Sequence, residues 1–559
     1  MYPHPLLRSI LFVILLTSLA LAGCSAPAPA VQPQPTQAVA PTATALPPTP
    51  APTPTTAPMV LTMALSSEPK TLDPQLASSS AETSLLALFF DTLVYRTLDN
   101  QYKPLLAKDW TFSDDGLSAT FHLREGVVFH DGTPLNADAV VFTFQRFTKV
   151  GSKRSPLAGE LQNIASIEKA DDLTVTFRFT SPSATFLNAI SQPYAGILSP
   201  TAVEKAGEAF GQHPIGTGPF TLAEWNAGQS LVLRPFDKFA WPPVDVTNPG
   251  RPYLDRLVLK IIPDSTAQVN ALKAGEVDIA YVTFADAISE LENDPNVTLL
   301  DIPSNGLYYL AFNLQKPPLD QLKVRQALSH AINKAEIVSI AFHDLANPVF
   351  TLLPPNVPGA SPELEAYELK YDPAKAHQLL VEAGLPVDAG GQVLWQGQPL
   401  RLKLITYSSP LNSAIATLLE SQLRAIGVGL DVQQMEVAGA TEAANKGQHD
   451  LLLWRYDWTD PDALAMWFSS DRIGAGNRSF YSNPEVDALL KQGKMELDQS
   501  KRIPLYIEAQ KRILQDAVWQ PLATPLSKVA VRASIQNLHV VSLGRLLFND
   551  VTIAGTSAP

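Results

Sequence analysis

Between Ser25 and Pro58 the chain places eleven prolines in 34 residues and not one charged side chain. Proline fixes φ and donates no amide, and the Ala, Thr, Gln and Val around it supply too little apolar bulk to build a core. The stretch predicts an extended spacer, reaching at most on the order of 100 Å at ~3.1 Å per residue. A proline motif for a partner protein is the competing reading, but no flanking charge fixes an orientation for one. What can fold is therefore set apart: a short leader before the spacer, and a body from about Val60 to Pro559 after it. That body is too long for one compact core and predicts two or three subdomains.

The leader reads as an export signal. Arg8 precedes an apolar run from Ser9 to Ala22 that ends in small residues. The run falls short of the roughly 20 residues that a membrane span needs, and no later stretch reaches that length. No transmembrane helix is expected after export. Cys24 is the only cysteine, so disulfides within the chain and thiol catalysis by the body are excluded. The stretch Leu21-Ala-Gly-Cys24 resembles the lipobox of bacterial lipoproteins. That implies a signal peptide over 1–23, acylation of Cys24 as the mature first residue, and a tether over 24–58. A stray cysteine in an ordinary cleaved signal is the plainer alternative.

Arg8 is the only charged side chain in leader and spacer, so the body holds 40 basic and 54 acidic side chains, a net charge of −14. With no lysine-arginine run, this acidity argues against nucleic acid and against a lipid-surface enzyme that relies on anionic head groups.

Along the body, "TVTFRFT" (174–180), "SLVLRPF" (230–236) and "DRLVLKIIP" (255–263) are rich in β-branched and aromatic residues and predict strands in the first half. The second half turns helical. Asp372 is expected to cap a helix that begins at Pro373, carries Leu379, Leu380 and Ala383 among its apolar positions, and stops at Gly384. In "NSAIATLLESQLRAIGVGLDVQQ", Asn412 is expected as cap, Ile415, Leu418, Leu419 and Leu423 as core stripe and Gly427 as terminator, with a strand following. Helix then strand at this spacing predicts an α/β layer.

Catalytic motifs are missing: the body has no G-x-S-x-G, no H-E-x-x-H and no G-x-x-x-x-G-K-[ST]. The nine histidines are scattered apart from His122 and His130, where alternation suggests a strand and turn and a structural role outweighs metal binding. "PIGTGPF" (214–220) lacks the lysine of a phosphate loop and reads as a tight turn. No cofactor is expected.

Seven segments stand in order along the body: "LAKDWTFSDDGLSATFHLREGVVFHDGTPLNADAVVFTFQR" (106–146), "PIGTGPFTLAEW" (214–225), "IIPDSTAQVNALKAGEVDIA" (261–280), "AFNLQKPPLDQLKVRQALSHAINKAEIV" (311–338), "YDPAKAHQLLVEAG" (371–384), "DWTDPDALAMWF" (457–468) and "YSNPEVDALLKQG" (481–493). Together they resemble the peptide/nickel class of extracytoplasmic solute-binding proteins (solute-binding protein family 5). The likeness is nearest to dipeptide- and oligopeptide-binding lipoproteins of ABC importers.

The resemblance implies an α/β, two-lobed periplasmic-binding-protein fold (class II-like) with an extra subdomain in the first lobe. Lobe I would comprise 60–302 plus 530–559 and lobe II 303–529, with crossing strands near 302–305 and 526–530 and the ligand in a cleft closed by a hinge. It also implies a peptide ligand, permease subunits of an ABC transporter as partners, membrane attachment only through Cys24, no nucleic acid, no enzymatic activity and a monomer outside the cytoplasmic membrane.

In peptide-binding relatives an aspartate in a W-x-x-D-x-x-D-P pattern holds the ligand α-amine. The match here is "WRYDWTDP", which makes Asp457 the first candidate, because an ammonium desolvated in a closed cleft needs a carboxylate partner. A cap role suits Asp460, before Pro461, better than it suits Asp457. Trp454 and Trp458 would either stack on the ligand or fill the core, and Tyr308 and Tyr309 beside the hinge are further candidates. Dipeptide binders hold the ligand carboxylate with an arginine at the place occupied here by Ser413-Ala414. Its absence argues for a longer peptide or a ligand without that carboxylate. A non-peptide cargo such as a nickel complex, haem or an oligosaccharide, or an anchored hydrolase, stays open at this point.

Overall fold

The computed structural model describes residues 58–147 and 160–555. The leader, Cys24 and nearly all of the spacer lie outside the described residues. Two sheets carry the body. The first has seven strands in the spatial order Val297–Ile302, Ser527–Arg532, Ile279–Val282, Val60–Leu65, Arg256–Ile261, Ser230–Pro235 and Phe220–Asn226. The strands expected from "SLVLRPF" and "DRLVLKIIP" are its antiparallel neighbours, with Leu231, Leu233, Leu257 and Leu259 buried in alternation on the core face.

The second sheet has six strands in the order Ala346–Pro348, Trp519–Pro525, Gly306–Phe312, Leu451–Asp457, Arg401–Tyr407 and Gly429–Met435. Every residue of Gly306–Phe312 is buried. A strand covered on both faces reads as a continuous apolar run, as "GLYYLAF" does. The chain passes from one sheet to the other twice, at 303–305 and at Leu526. The strands on either side of these passages lie together: Ile302 pairs with Ser527 in the first sheet and Tyr308 with Ala523 in the second.

A smaller antiparallel sheet, Ala107–Phe112, Ser118–Leu123, Thr174–Phe179 and Ile164–Asp171, stands apart from both. Its core is aromatic: Phe177 lies edge-on to Phe121 and Phe144 with ring centroids 5.6 and 5.1 Å apart, and Phe186 closes on Phe179 at 4.7 Å. Mixed strands and covering helices make this an α/β fold of two main lobes with an added subdomain.

The expected helix at Asp372 spans Pro373–Glu382, with the Asp372 carboxylate accepting from the Lys375 amide at 2.9 Å and Gly384 at φ +80° beyond its end. The second expected helix starts earlier than Asn412. It spans Pro410–Ala425, capped by Ser409, whose hydroxyl accepts from the Asn412 amide at 3.0 Å. Serine before a proline at the first helical position is the stronger start signal. Asn412 instead turns inward and donates to Thr406 Oγ1 at 2.9 Å and to the Tyr407 carbonyl at 3.1 Å.

The glycines of "PIGTGPF" form a bend without positive φ. They are needed for close approach: a Cβ on Gly216 would lie 2.2 Å from the Phe89 carbonyl oxygen, and one on Gly218 2.5 Å from the Phe89 carbonyl carbon. His130, on the neighbouring turn, is half-buried and bonded to the Gly218 carbonyl at 2.9 Å, and desolvation pushes its pKa down to about 4. His122 is part-exposed and paired with Asp109. Among the described residues no three His, Cys, Asp or Glu side chains gather as for a metal ion, and no helix is long and apolar enough to cross a membrane.

Candidate ligand site

Strand Leu451–Asp457 lies against Gly306–Phe312, with Gly306 opposite Asp457, Tyr308 opposite Arg455 and Tyr309 opposite Trp454. Successive side chains of a strand point to opposite faces, so the sheet divides the candidates. Asp457 and Tyr308 share one face, where Leu451, Leu453, Leu310 and Phe312 continue into a core. Trp454 and Tyr309 belong to the other, with Leu452 and Tyr456.

On that second face Tyr309 is 1% exposed and stacks on Trp519, ring centroids 3.5 Å apart and 6° from parallel. Burial pushes its phenol well above the ordinary value, as expected for a core tyrosine. Trp454 is buried too, edge-on to Tyr407 at 4.9 Å, with the Arg478 guanidinium 4.7 Å over its ring. Trp458 is half-buried, and its amide donates to the Asn305 carbonyl at 3.1 Å, inside the first passage between the sheets.

The first face is different at its end. The Asp457 side chain is 55% exposed, and its Oδ1 accepts from Arg455 Nη2 at 2.5 Å. The Arg455 guanidinium stands 5.7 Å over the Tyr308 ring, and Tyr308 in turn packs edge-on to Phe342 at 5.2 Å. Arg455 Nε is buried and has no hydrogen-bond partner among the described residues. Gly306 makes room for the pair: a Cβ there would lie 2.8 Å from Asp457 Oδ1 and 2.9 Å from Arg455 Nε and Nη2. Arg455 and Gly306 escaped the sequence reading, although the two-residue spacing of Arg455 and Asp457 already puts both on one face.

Residues from the first 200 positions close on the same segment. Arg96, buried, donates through Nη2 to the Thr459 carbonyl at 2.6 Å, and Gln192 donates to Thr459 Oγ1 at 3.1 Å. Asp460, by contrast, is buried and structural. Both its oxygens accept from Arg502, at 2.6 and 2.9 Å, and its Oδ1 also takes the Asp462 amide at 2.9 Å. At the place where an arginine was sought, Ser413 donates its hydroxyl to the Ser409 carbonyl at 2.9 Å and bonds Gln434 Oε1 at 3.0 Å.

Two cavities lie elsewhere. One of about 530 Å³ is lined by Lys108, Arg124 and Lys238 against Glu125 alone, a charge balance that repels a ligand amine, and one of about 310 Å³ lies around Asp294 and Arg532. Neither lining includes a residue of the two strands just described.

Two α/β lobes on separate sheets, crossed twice by the chain and presenting charged groups at the crossing, define the class of two-lobed extracytoplasmic binding proteins. Residues 101–476 match the model of "Bacterial extracellular solute-binding proteins, family 5 Middle", and the chain belongs to that family. It is 31% identical over 475 residues to the glutathione-binding protein GsiB of Shigella flexneri, covering 83% of this chain and 88% of that one. Among solved structures it is similar to HbpA2 of Haemophilus parasuis, with a TM-score of 0.79, 26% identity and coverage of 88% and 99% of the two chains. It is also similar to the ABC transporter-associated binding protein DppA of Helicobacter pylori in complex with the peptide STSA, with a TM-score of 0.68, 28% identity and coverage of 88% and 98%.

Proposed function

We propose that this protein is the substrate-binding lipoprotein of an ABC importer, capturing peptides outside the cytoplasmic membrane and handing them to the permease. The observation that carries the reading is the exposed carboxylate of Asp457, set at the passage between the two sheets and beside the segment held by Arg96 and Gln192. A ligand ammonium enclosed there by closure of the lobes gains the partner that a desolvated charge requires. Lobe I is taken as 60–302 plus the residues after Leu526 and lobe II as 303–526, since the expected boundary between 529 and 530 would cut strand Ser527–Arg532 of the first sheet. Tyr308 forms the floor beneath the site, Trp458 borders it, and Trp454 and Tyr309, expected at the ligand, support the sheet from its opposite face. The leader and Cys24 supply export and a lipid anchor, and 24–58 the tether, so the body works as a monomer held near the permease.

Peptide is favoured over a metal complex, haem or an oligosaccharide by the amine-binding pattern around Asp457 and by the peptide named for the Helicobacter structure. Mass spectrometry of the ligand extracted from protein purified without denaturation tests this. Peptides with a free amine are expected, with glutathione, named for the Shigella relative, among the forms to look for. Recovery of a sugar or a metal chelate instead would set the reading aside.

A further inference from the structure

The ion pair at the candidate site narrows the ligand class. Resting on the assignment of Asp457 to a ligand amine, we propose that Arg455 holds a ligand carboxylate borne by the same carbon as that amine, so that the site selects an α-amino-acid zwitterion presented as a free head group. A γ-linked glutamyl peptide carries such a head group; an ordinary linear peptide does not.

The argument starts from what an amine would meet. Asp457 is not a free carboxylate, since its Oδ1 already accepts from Arg455 Nη2 at 2.5 Å. An ammonium arriving alone on the second oxygen of Asp457 would leave two cations, the ammonium and an arginine 36% exposed now and enclosed on closure, sharing one carboxylate. A ligand that brings a carboxylate next to its ammonium satisfies both charges at once, exchanging one internal pair for two external ones. Arg455 has the capacity, because its side chain is part-exposed beyond the bond to Asp457 and its guanidinium offers a planar fork that matches a carboxylate.

Spacing sets the class. Arg455 and Asp457 stand two residues apart on one face of one strand and already touch, so their ligand groups must be close neighbours. An α-amino acid head provides this, with amine and carboxylate on one carbon. In a linear peptide each further residue moves the carboxylate away by up to ~3.3–3.6 Å. The local architecture holds this geometry: Tyr308 lies under the guanidinium, and Gly306 leaves the space over its Cα that the two charged groups fill. Arg455 also supplies the cation missing near Ser413, from a place that suits a different carboxylate.

Calorimetry on the full chain with isomeric dipeptides tests the proposal. γ-Glu-Leu and α-Glu-Leu have the same atoms and charge, but only the first carries amine and carboxylate on one carbon outside the peptide link. Wild type is expected to prefer the γ isomer by at least tenfold. Arg455→Gln should weaken the γ isomer by roughly 10- to 1,000-fold and the α isomer little, so that the preference collapses, while Arg455→Lys should keep part of it. Melting curves confirm that each variant is folded. Equal affinity of wild type for the two isomers overturns the proposal, as does a preference that survives in Arg455→Gln, or failure to bind γ-Glu-Leu, γ-Glu-Ala and γ-Glu-Phe alike. The underlying reading fails separately: if Asp457→Asn leaves binding of both isomers unchanged, the amine is not at Asp457. If Asp457→Asn weakens both and Arg455→Gln changes neither, only the zwitterion assignment is lost.

Discussion

Asp457 and Asp460 stand three residues apart in the same pattern, and their surroundings give them opposite tasks. Asp460 is buried with both oxygens on Arg502, whose side chain is 1% exposed. Removing one charge of such a pair leaves the other desolvated, which costs about 3–5 kcal/mol. Asp460→Asn should therefore lower unfolding stability by about that amount in urea titration while ligand affinity changes little, and Asp457→Asn should do the reverse. Equal stability of Asp460→Asn and wild type would remove the structural role. The local signal for a turn at Asp460 was legible, because an aspartate before proline is a local motif. Its partner was not, since Arg502 is 42 residues away and only the packed helix Gln499–Gln515 brings it near. Arg96 is the same case: nothing around it in sequence points to Thr459, 363 residues on.

Elements were readable where the decisive contacts are local. The Asp372 cap, the Pro373 start and the Gly384 stop all lie within one short stretch, and the helix follows them. The helix start at Ser409 was displaced to Asn412 because both are good caps, and the choice turns on Pro410 and on the inward hydrogen bonds of Asn412 to a strand end. The "PIGTGPF" bend was legible as a bend, but the need for its glycines was not, because it comes from helix Ser80–Phe89 more than a hundred residues earlier. The Gly218 amide donates to the Phe89 carbonyl at 2.9 Å, so backbone packs on backbone. Neither side can yield to a methyl group. Gly218→Ala is expected to destabilise the first lobe by about 1–3 kcal/mol or more, read as faster hydrogen exchange in Ser80–Phe89 and Phe220–Asn226 with the six-stranded sheet unaffected. Unchanged exchange there would mean that the bend relaxes freely.

At the scale of the molecule, four titratable groups, Asp91 and His449 buried and His130 and Asp462 half-buried, oppose one another. Burial lowers His130 and His449 to about 4, and burial raises Asp91 and Asp462 to about 6. Between pH 4 and 6.5 the unfolded chain binds more protons at the histidines, so their effect is stability that rises with pH; between pH 4 and 6 the folded chain binds more at the aspartates, so theirs falls with pH. The four effects nearly cancel. His449→Gln should tilt the curve so that stability grows as pH falls, Asp462→Asn should tilt it the other way, each by about 1 kcal/mol per pH unit, and parallel curves for the two variants would contradict the assignment. At this scale the seven ordered segments made the two-lobed family fold legible, while the sharing of candidates between two sheet faces needed the register of Gly306–Phe312 on Leu451–Asp457. The central claim, that a ligand amine sits on Asp457, is tested most directly by a calorimetric cycle of wild type and Asp457→Asn with the co-purified peptide and its N-acetylated form. The account predicts that either change alone costs roughly 2–5 kcal/mol, about 30- to several-thousand-fold in affinity, and that acetylation adds little once Asp457 is gone. Wild-type affinity of Asp457→Asn for the free peptide, or equal affinity of wild type for the free and acetylated forms, would contradict it.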